Sequence, residues 1–267
     1  NMLTSAAYKA NEAVLRSRGV LFIEPGSGHL ACGDDGKGRL AEPDEIVRFV
    51  TDVLLPKQDY EGKTVLVTAG GTSEPIDPVR FITNRSSGKM GVAIAEKAAM
   101  RGANVILVAG NISVPVPSGI RRADVSTTAE MYDAVMKYLP EADYIVKAAA
   151  PADYAVEACS DKKIKAETLT LKLKKNPDIA AAVGKIKGDK KLIIFSAETD
   201  NCDKNAREKM AKKNADMVVL NDVTKPGAGF NTDTNIVTII TKSTKKELPV
   251  MEKSALADIL LDRIIEL

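Results

Sequence analysis

The chain has 267 residues, of which 45% are hydrophobic and 28% are charged, a composition typical of globular proteins. The 38 lysines and arginines nearly balance the 36 aspartates and glutamates, and a net charge of +2 argues against a general binder of nucleic acids or membrane surfaces. No apolar run approaches the roughly 18 residues of a membrane span, and the first residues lack the pattern of a signal peptide. We therefore expect a cytoplasmic protein.

The scarce residue types exclude several kinds of site. Three cysteines lie far apart with no C-x-x-C pair, which disfavours a disulfide framework and a cysteine-rich zinc site. A single histidine, His29, excludes metal sites that need two. Aromatic residues make up only 4%, which disfavours a single-strand binder that stacks bases.

The first 60 residues differ in character from the rest. The predicted elements are, in order, a helix at 10–18, a possible strand at 20–23, a glycine-rich stretch at 26–38 and a helix at 43–55. This segment offers too little sheet for a core of its own. We interpret 1–60 as an appended fragment, with a linker near 56–62.

From residue 63 onward, short β-branched runs alternate with helical patterns. The predicted strands are 63–69, 104–109, 144–148, 191–196, 217–220 and 235–241, and the predicted helices are 89–101, 128–138, 178–186, 204–214 and 253–265. The strands are nearly all apolar, which indicates burial on both faces, as in a parallel sheet. The alternation predicts an α/β fold with a Rossmann-like, doubly wound, mostly parallel sheet.

Two segments interrupt this alternation. Residues 168–173 alternate polar and apolar side chains, which predicts a strand within an inserted flap. Residues 157–175 around it include six lysines and only three acidic residues. This local positive charge would either neutralise a polyphosphate or belong to a solvated sheet edge. Residues 222–235 are rich in glycine, proline, asparagine and aspartate, which predicts a long loop.

Glycines follow the first long strand. At the end of a parallel strand, Gly70 and Gly71 let backbone N–H groups approach a phosphate, or they form a simple turn. The G-x-G-x-x-G pattern of a dinucleotide site is absent.

A second glycine motif lies at the start of the next helix. The Gly88-Lys89 pair suggests a P-loop, but the flanking residues do not fit that pattern. We expect Ser86 and Ser87 to cap a helix whose first turn holds Gly88 and Gly91. Its free N–H groups make either an anion site or an ordinary cap.

The third strand ends in small residues. They would let a flat ring lie against the backbone, and Asp153 could accept from a sugar or hold a metal; a tightly packed turn is the alternative. Lys209 and Lys213, four residues apart on a predicted helix, are either a phosphate clamp or a solvated face. Because the carboxyl ends of parallel strands meet at one edge, these features together predict a site for a nucleotide and an anionic second substrate.

Several of these motifs, in order over 61–267, closely resemble the phosphopantothenate–cysteine ligase family, which in bacteria is the C-terminal half of a bifunctional coenzyme A biosynthesis protein. The motifs are Gly70-Gly71-Thr72, 77–84, 86–91, Ala152-Asp153-Tyr154, 175–179, Ala197-Glu198-Thr199 and Asn221-Asp222-Val223. Residues 1–60 resemble the end of the partner half, a flavin-dependent phosphopantothenoylcysteine decarboxylase. There Cys32, in the segment 30–40, matches the thiol that donates a proton to the enethiolate intermediate.

The resemblance implies a two-step ligation. The carboxylate of 4′-phosphopantothenate attacks the α-phosphate of CTP, giving an acyl-cytidylate and pyrophosphate, and the amine of L-cysteine then displaces CMP. Mg²⁺ is implied because the reacting groups are anionic. The resemblance places the family's flavin fold before Asn1, so we expect FMN only in that missing half and no decarboxylase activity from these residues.

Residue roles follow from the matched motifs. The asparagine that holds phosphopantothenate and its activated intermediate is Asn84, with Arg80 as a candidate partner, and the lysine acting on the phosphate side of the first step is Lys163. The nucleotide-binding positions are Gly70, Gly71, Ser86, Gly88, Gly91, Lys147, Ala148, Ala149, Asp153, Lys163, Pro177, Asp178, Ile179, Ala180, Phe195, Lys209 and Lys213. Metal ligands are not assigned.

CTP rather than ATP follows from the bacterial subtype alone, and the resemblance also implies a homodimer. Two other functions remain open from the residues themselves. One is a Rossmann-type NAD(P)-dependent reductase, although the second strand ends at Ala109-Gly110-Asn111 without an acidic residue. The other is a nucleotide-binding module without catalysis.

Overall fold

A computed structural model of the chain describes residues 2–3, 5–18, 20–29, 35–55, 57–198, 201–222 and 232–267. These divide into two compact units, Asn1–Lys57 and Gln58–Leu267. The sequence placed the boundary at 60/61. The units divide earlier because Tyr60 is fully buried in the second unit, where its hydroxyl donates to the carbonyl of Leu261 at 2.7 Å. Within the described residues, no helix has the length and apolar character needed to cross a membrane.

The described residues of the first unit form two helices and an antiparallel pair of strands. Its elements are α1 (Ala6–Ser17), β1 (Gly26–His29), β2 (Asp35–Arg39) and α2 (Pro43–Leu54). The strand considered at 20–23 is wrong: that apolar run meets no partner strand among the described residues, whereas the glycine-rich segments pair as antiparallel β1 and β2. Cys32 lies outside the described residues.

The second unit carries the remaining elements. In chain order they are β3 (Thr64–Ala69), β4 (Ser73–Pro75), β5 (Phe81–Thr83), α3 (Lys89–Met100), β6 (Asn104–Ala109), β7 (Arg121–Asp124), α4 (Thr128–Tyr138), a 3₁₀ turn (Leu139–Glu141), β8 (Tyr144–Lys147), β9 (Tyr154–Val156), β10 (Leu173–Lys175), α5 (Ile179–Ile186), β11 (Lys191–Glu198), α6 (Cys202–Lys212), β12 (Met217–Asp222), β13 (Thr234–Asn235), β14 (Val237–Thr241), β15 (Lys245–Glu247), β16 (Met251–Glu252) and α7 (Lys253–Ile264).

An eight-stranded sheet forms the centre of this unit, in the order β15-β14-β12-β11-β8-β3-β6-β7. The strands from β12 to β7 in this order are parallel, while β14 and β15 are antiparallel to their neighbours. The chain runs outward from β3 in one direction and then returns to β8 on the other side. The strand order therefore reverses between β3 and β8, where doubly wound sheets bind their ligands. The predicted fold class is confirmed.

Helices cover both faces of the sheet because its strands are apolar on both. Val65 and Val67 face a buried cluster that includes α3 and α7. Leu66, between them, faces a second cluster that includes α4, α5 and α6. Strand alternation thus assigns every strand-end side chain to one of two sides, an α3/α7 side and an α5/α6 side.

Two local predictions are wrong. The strand expected at 168–173 is instead β10, because only Leu173–Lys175 meets the short β9, as an antiparallel pair. The cap expected from Ser86 and Ser87 is also absent. Gly88 is the N-cap of α3, in a left-handed conformation with φ 75° and no side-chain hydrogen bond. Of the loop predicted at 222–235, residues 223–231 lie outside the described part, and its end forms β13.

Candidate functional site

A cavity of about 570 Å³ lies at the carboxyl ends of β8, β11 and β12, beside the point where the strand order reverses. Its lining includes many of the predicted residues: Asn84, Ser86, Gly88, Gly91, Lys147, Ala148, Ala149, Asp153, Pro177, Asp178, Ile179, Phe195 and Lys213. Segments far apart in the chain therefore converge on one site, as expected from the ends of parallel strands.

The start of α3 forms one wall of the cavity. Gly88, in a left-handed conformation, provides no side-chain cap for this helix end, and a helix N-terminus attracts anions. A Cβ at Gly91 would lie 2.6 Å from the Cβ of Ala69, so only glycine lets the helix start this close to β3. The geometry suits a phosphate at the helix N-terminus.

Gly70 and Gly71 do not line the cavity; they join strand ends. Gly71 exchanges backbone hydrogen bonds with Asn111, which follows β6, and forms a parallel bridge with Ala150, which follows β8. A Cβ at Gly71 would lie 2.9 Å from the carbonyl oxygen of Asn84. These glycines connect the ends of β3, β6 and β8.

On the α5/α6 side, the cavity is lined by two lysines, Lys147 and Lys213, and by Asp178. Lys147 ends β8; burial, reinforced by the positive charge of Lys213, lowers its pKa to about 8. The Lys213 ammonium lies 3.1 Å from Asp178 Oδ2, and Asp178 Oδ1 caps α5 by accepting from the N–H of Ala181 at 3.0 Å. Although burial alone would raise the pKa of Asp178, these two donors hold it below its usual value.

A buried hydrogen-bond chain fixes the loop that carries Asp153. The N–H of Ala152 donates to Thr72 Oγ1 at 2.9 Å, Thr72 Oγ1 lies 2.9 Å from Thr128 Oγ1, and Thr128 Oγ1 donates to Glu74 Oε1 at 2.8 Å. Glu74 also accepts from the Thr128 N–H at the start of α4, at 2.8 Å. Because these hydroxyls donate in one direction, the carboxylate orients the whole chain and with it the loop.

Asn84 connects two walls. Its Nδ2 donates to the carbonyl of Pro151 at 3.0 Å, which ties the segment after β5 to the loop after β8. Beside it, Asn176 donates from Nδ2 to the carbonyl of Ala152 at 2.9 Å. The amide of Asn84 therefore takes part in the shape of the cavity as well as in its surface.

Arg80 and Lys163 do not line this cavity. Arg80 Nη2 donates to Asp77 Oδ2 at 2.5 Å and to the carbonyl of Ile164 at 2.6 Å. Lys163 is exposed on the flap next to Ile164. The guanidinium of Arg80, helped by nearby backbone N–H groups, holds the pKa of the Asp77 carboxyl far below its usual range.

The other predicted residues lie behind the cavity wall. Ala180 is buried within α5 and is 1% exposed. Lys209 donates from Nζ to Ser196 Oγ at 3.1 Å, and Ser196 itself lines the cavity. Lys213, the C-cap of α6, lies one turn beyond Lys209, since its N–H donates to the Lys209 carbonyl at 3.0 Å, and it lines the cavity itself.

Sequence reasoning missed several polar residues of the lining, among them Ser196, Asn235 and Lys253. Asn221 lines the cavity too and appeared only within a family motif; its Oδ1 is buried without a hydrogen-bond partner in the described part of the chain. A signal for Lys253 does exist, since a lysine in the first turn opposes the positive end of the helix dipole.

The described residues show no prepared protein site for Mg²⁺. In the described ranges no group of three His, Cys, Asp or Glu side chains is arranged to hold a metal ion. Asp153 and Asp178 are the acidic side chains of the lining, and Asp178 already binds Lys213. These residues do not fit a resident metal.

Comparison with known proteins identifies the family. Residues 60–267 match the profile of the DNA/pantothenate metabolism flavoprotein C-terminal domain, and residues 1–55 match that of Flavoprotein. The coenzyme A biosynthesis bifunctional protein CoaBC of Escherichia coli strain K12 is 43% identical over 270 residues, covering 99% of this chain and 66% of that protein. CoaBC of Bacillus subtilis strain 168 is 45% identical over 262 residues, covering 95% and 64%.

The fold gives the same assignment. The crystal structure of the C-terminal domain of a CoaBC protein superposes with a TM-score of 0.69 at 37% identity, covering 79% of this chain and 97% of that domain. The chain spans 66% and 64% of the length of the two curated relatives. It belongs to the CoaBC family and carries, over residues 60–267, the DNA/pantothenate metabolism flavoprotein C-terminal domain.

Proposed function

We propose that this chain is a phosphopantothenate–cysteine ligase of coenzyme A biosynthesis that uses CTP. The observation that carries the proposal is the cavity itself. It joins an uncapped helix N-terminus, suited to phosphates, to a strand end of small residues that leaves room for a flat base. Relatives named for coenzyme A biosynthesis support the same reaction.

In the first step a carboxylate oxygen of 4′-phosphopantothenate bonds to the α-phosphorus of CTP, and pyrophosphate leaves with the electron pair of the broken P–O bond. The start of α3, with Ser86, Gly88 and Gly91, holds the triphosphate. Ala148 and Ala149 border the base, and Asp153 borders the ribose. Pro177, Phe195 and Lys213 complete the nucleotide pocket, while Gly70, Gly71, Ala180 and Lys209 support it from behind. Negative charge that develops on the phosphates is stabilised by Lys147 and, when the flap closes, by Lys163.

In the second step the amine of L-cysteine bonds to the acyl carbon, CMP leaves, and the amine loses a proton. Asn84 holds the acyl-cytidylate beside the loop at Pro151 that it already contacts. Arg80 contributes from the flap side, where it binds Asp77 and Ile164. Mg²⁺ enters with the nucleotide as its counterion rather than on protein ligands.

We further propose that the second unit, Gln58–Leu267, forms the ligase and that the first unit, Asn1–Lys57, belongs to the flavin-dependent decarboxylase half. In that half Cys32 would donate a proton to the enethiolate intermediate, and FMN would be bound by other parts of the half. The ligase is expected to act as a homodimer, which sedimentation of the purified chain tests directly.

Pyrophosphate release tests the proposed function. The purified chain is supplied with 4′-phosphopantothenate, Mg²⁺ and either CTP or ATP, with and without L-cysteine. We expect release that strongly favours CTP, and an amide product only when cysteine is present. Folded protein that releases no pyrophosphate with either nucleotide would contradict the proposal and leave a nucleotide-binding module, whereas dependence on NAD(P) would indicate the reductase.

A further inference from the structure

Lys253 is a buried lysine on the α3/α7 side of the cavity. It is the first residue of α7, and only 6% of it is exposed. Its Nζ donates to the carbonyl of Thr232, and its backbone N–H donates to the carbonyl of Asp233 at 2.9 Å. Pairing of β13 with β16 places Asn235 opposite Met251 and so fixes the start of α7 against the cavity.

Helix stability does not favour a lysine here. An ammonium group at the N-terminus of α7 opposes the helix dipole, and burial of a charge is costly without strong compensation. Burial lowers the pKa of Lys253, and the neighbouring positive charge of Lys89 lowers it further. An anion in the cavity would relieve both effects.

Among the described residues, the charges that act on Lys253 are those of Lys89 and Asp233. Lys89 lies 2.6 Å from Asp233 Oδ1, and this carboxylate points largely to solvent, with 86% of the side chain exposed. Together the groups of Lys89, Lys253 and Asp233 carry one net positive charge. Since Lys89 is also the first residue of α3, this charge lies beside the N–H groups of that helix start.

An unsatisfied amide lies on the same side. The side chain of Asn221 lies on the α3/α7 side of the sheet. Side chains two residues apart on a strand share a face, and Val219 belongs to the buried cluster on that side. Asn221 is 8% exposed, and its Oδ1 is buried with no hydrogen-bond partner among the described residues. Rotation of the amide by 180° would present the N–H₂ group there instead, so this wall can offer a further donor.

We propose that Lys253 binds the terminal phosphates of the nucleotide and holds them as they leave as pyrophosphate. This inference rests on the proposed function, which places the base near Ala148 and the triphosphate at the start of α3. The start of α7 lies beside it, since Asp233 binds both Lys89 and the Lys253 N–H. Lys147 and Lys213 then serve the α5/α6 side, while Lys253 serves the opposite end of the triphosphate.

Calorimetry with two separate probes tests this assignment, inorganic pyrophosphate for one end of the cavity and CMP for the other, both with Mg²⁺. Removal of one charge-assisted hydrogen bond predicts that Lys253→Gln binds pyrophosphate about tenfold or more weakly. Its CMP affinity should stay within about twofold of the wild type. Lys253→Arg should retain pyrophosphate binding, and Lys246→Gln, at an exposed lysine of β15, is the matched control.

Unchanged pyrophosphate affinity in Lys253→Gln, or an equal loss for both probes, would overturn the assignment. Because loss of a buried lysine can weaken the fold, the Cε resonance of Lys253 is also followed in the wild-type chain with ¹³C-labelled lysine, assigned by its absence in Lys253→Arg. It should shift with pyrophosphate and not with CMP; no shift with pyrophosphate overturns the proposal. Failure of the proposed function appears separately, as no pyrophosphate release from CTP.

Discussion

Asp77 and Ile164 are joined across 87 positions of the chain by a hydrogen bond of 3.1 Å from the Ile164 N–H to Asp77 Oδ2. The carbonyl of the same residue accepts from Arg80, which itself binds Asp77. Both backbone polar groups of Ile164 are therefore held by one ion pair. Since Lys163 is the preceding residue, this ion pair fixes the backbone position from which the Lys163 side chain extends.

Asp77→Asn should slow the first step through Lys163. Loss of the carboxylate charge weakens the hold on both Arg80 and Ile164, so the flap lysine spends less time over the phosphates. We expect Asp77→Asn and Lys163→Gln each to slow pyrophosphate release, by roughly tenfold to a hundredfold. The double variant should be no slower than the slower single variant, since residues acting as one unit are non-additive. If the double variant slowed pyrophosphate release by the product of the two single effects, Asp77 would act independently of Lys163. Asp189→Asn, at an exposed site, is the control for loss of a carboxylate.

Nucleotide affinity should depend on pH through Lys147. Its pKa of about 8 lies below the ordinary 10.5, so the ammonium is lost as the pH rises through about 8 and the anion binds less tightly. Titration calorimetry with CTP between about pH 7 and 9.5 should show this decrease, approaching tenfold per pH unit at the upper end. Arginine stays protonated in this range, so Lys147→Arg should flatten the profile. A wild-type profile without any decrease would remove Lys147 from the phosphate site.

The same shift makes a prediction about stability. Between about pH 8 and 10.5 the unfolded chain binds the proton of Lys147 more strongly than the folded chain does. The contribution of this group to the free energy of unfolding therefore rises with pH in that window. Comparison of urea denaturation of the wild type with Lys147→Met at the two ends of the window isolates it, because methionine carries no proton to release.

Gly88→Ala should damage both the fold and the cradle. The residue has φ +75°, and an added Cβ would collide with the side chain of Ile112. Gly119→Ala is a matched control, since Gly119 has φ +88° but no atom within 4 Å of an added Cβ. We expect a loss of unfolding free energy of about 1–2 kcal/mol for the control and about 2–4 kcal/mol for Gly88→Ala. Only Gly88→Ala should also lose nucleotide affinity, and equal losses of stability would exclude the collision.

Asn84→Asp should separate the two steps. A carboxylate cannot donate to the carbonyl of Pro151 as the Asn84 amide does, and it repels the anionic acyl-cytidylate. Pyrophosphate release should fall only a few-fold, whereas amide formation should fall by about a hundredfold or more. Wild-type ligation in this variant would end the assignment of Asn84. The exposed Asn104→Asp provides the control for an added negative charge.

The centre of the fold could be predicted because its signals are local. The six predicted core strands and the five helices of the second unit all appear, with ends shifted by a few residues at most. Apolar runs such as 104–109 carry their burial in their own composition. The edge strand β7, Arg121–Asp124, has no such signal, because its polar residues become a strand only by pairing with β6.

The candidate site was predictable where residues follow a strand directly, as Lys147 follows from the end of β8. It was not predictable where placement depends on distant pairing. Lys253 reaches the cavity through the β13–β16 pair, so its local signal, a lysine in the first turn of a helix, does not indicate where the side chain lies. Arg80 was predicted to bind substrate but does not line the cavity. Its guanidinium is held outside by Asp77, a carboxylate only three residues away in the sequence.

Gly71, which bridges to Asn111 and Ala150, has a consequence for how such chains can diverge. Three turns share this residue, so none of them can lengthen alone without breaking the backbone pairing of the other two. Insertions and deletions among relatives should therefore avoid the turns at 70–72, 110–112 and 149–151. They should accumulate instead in the flap at 157–172, where length can change without moving the floor of the cavity.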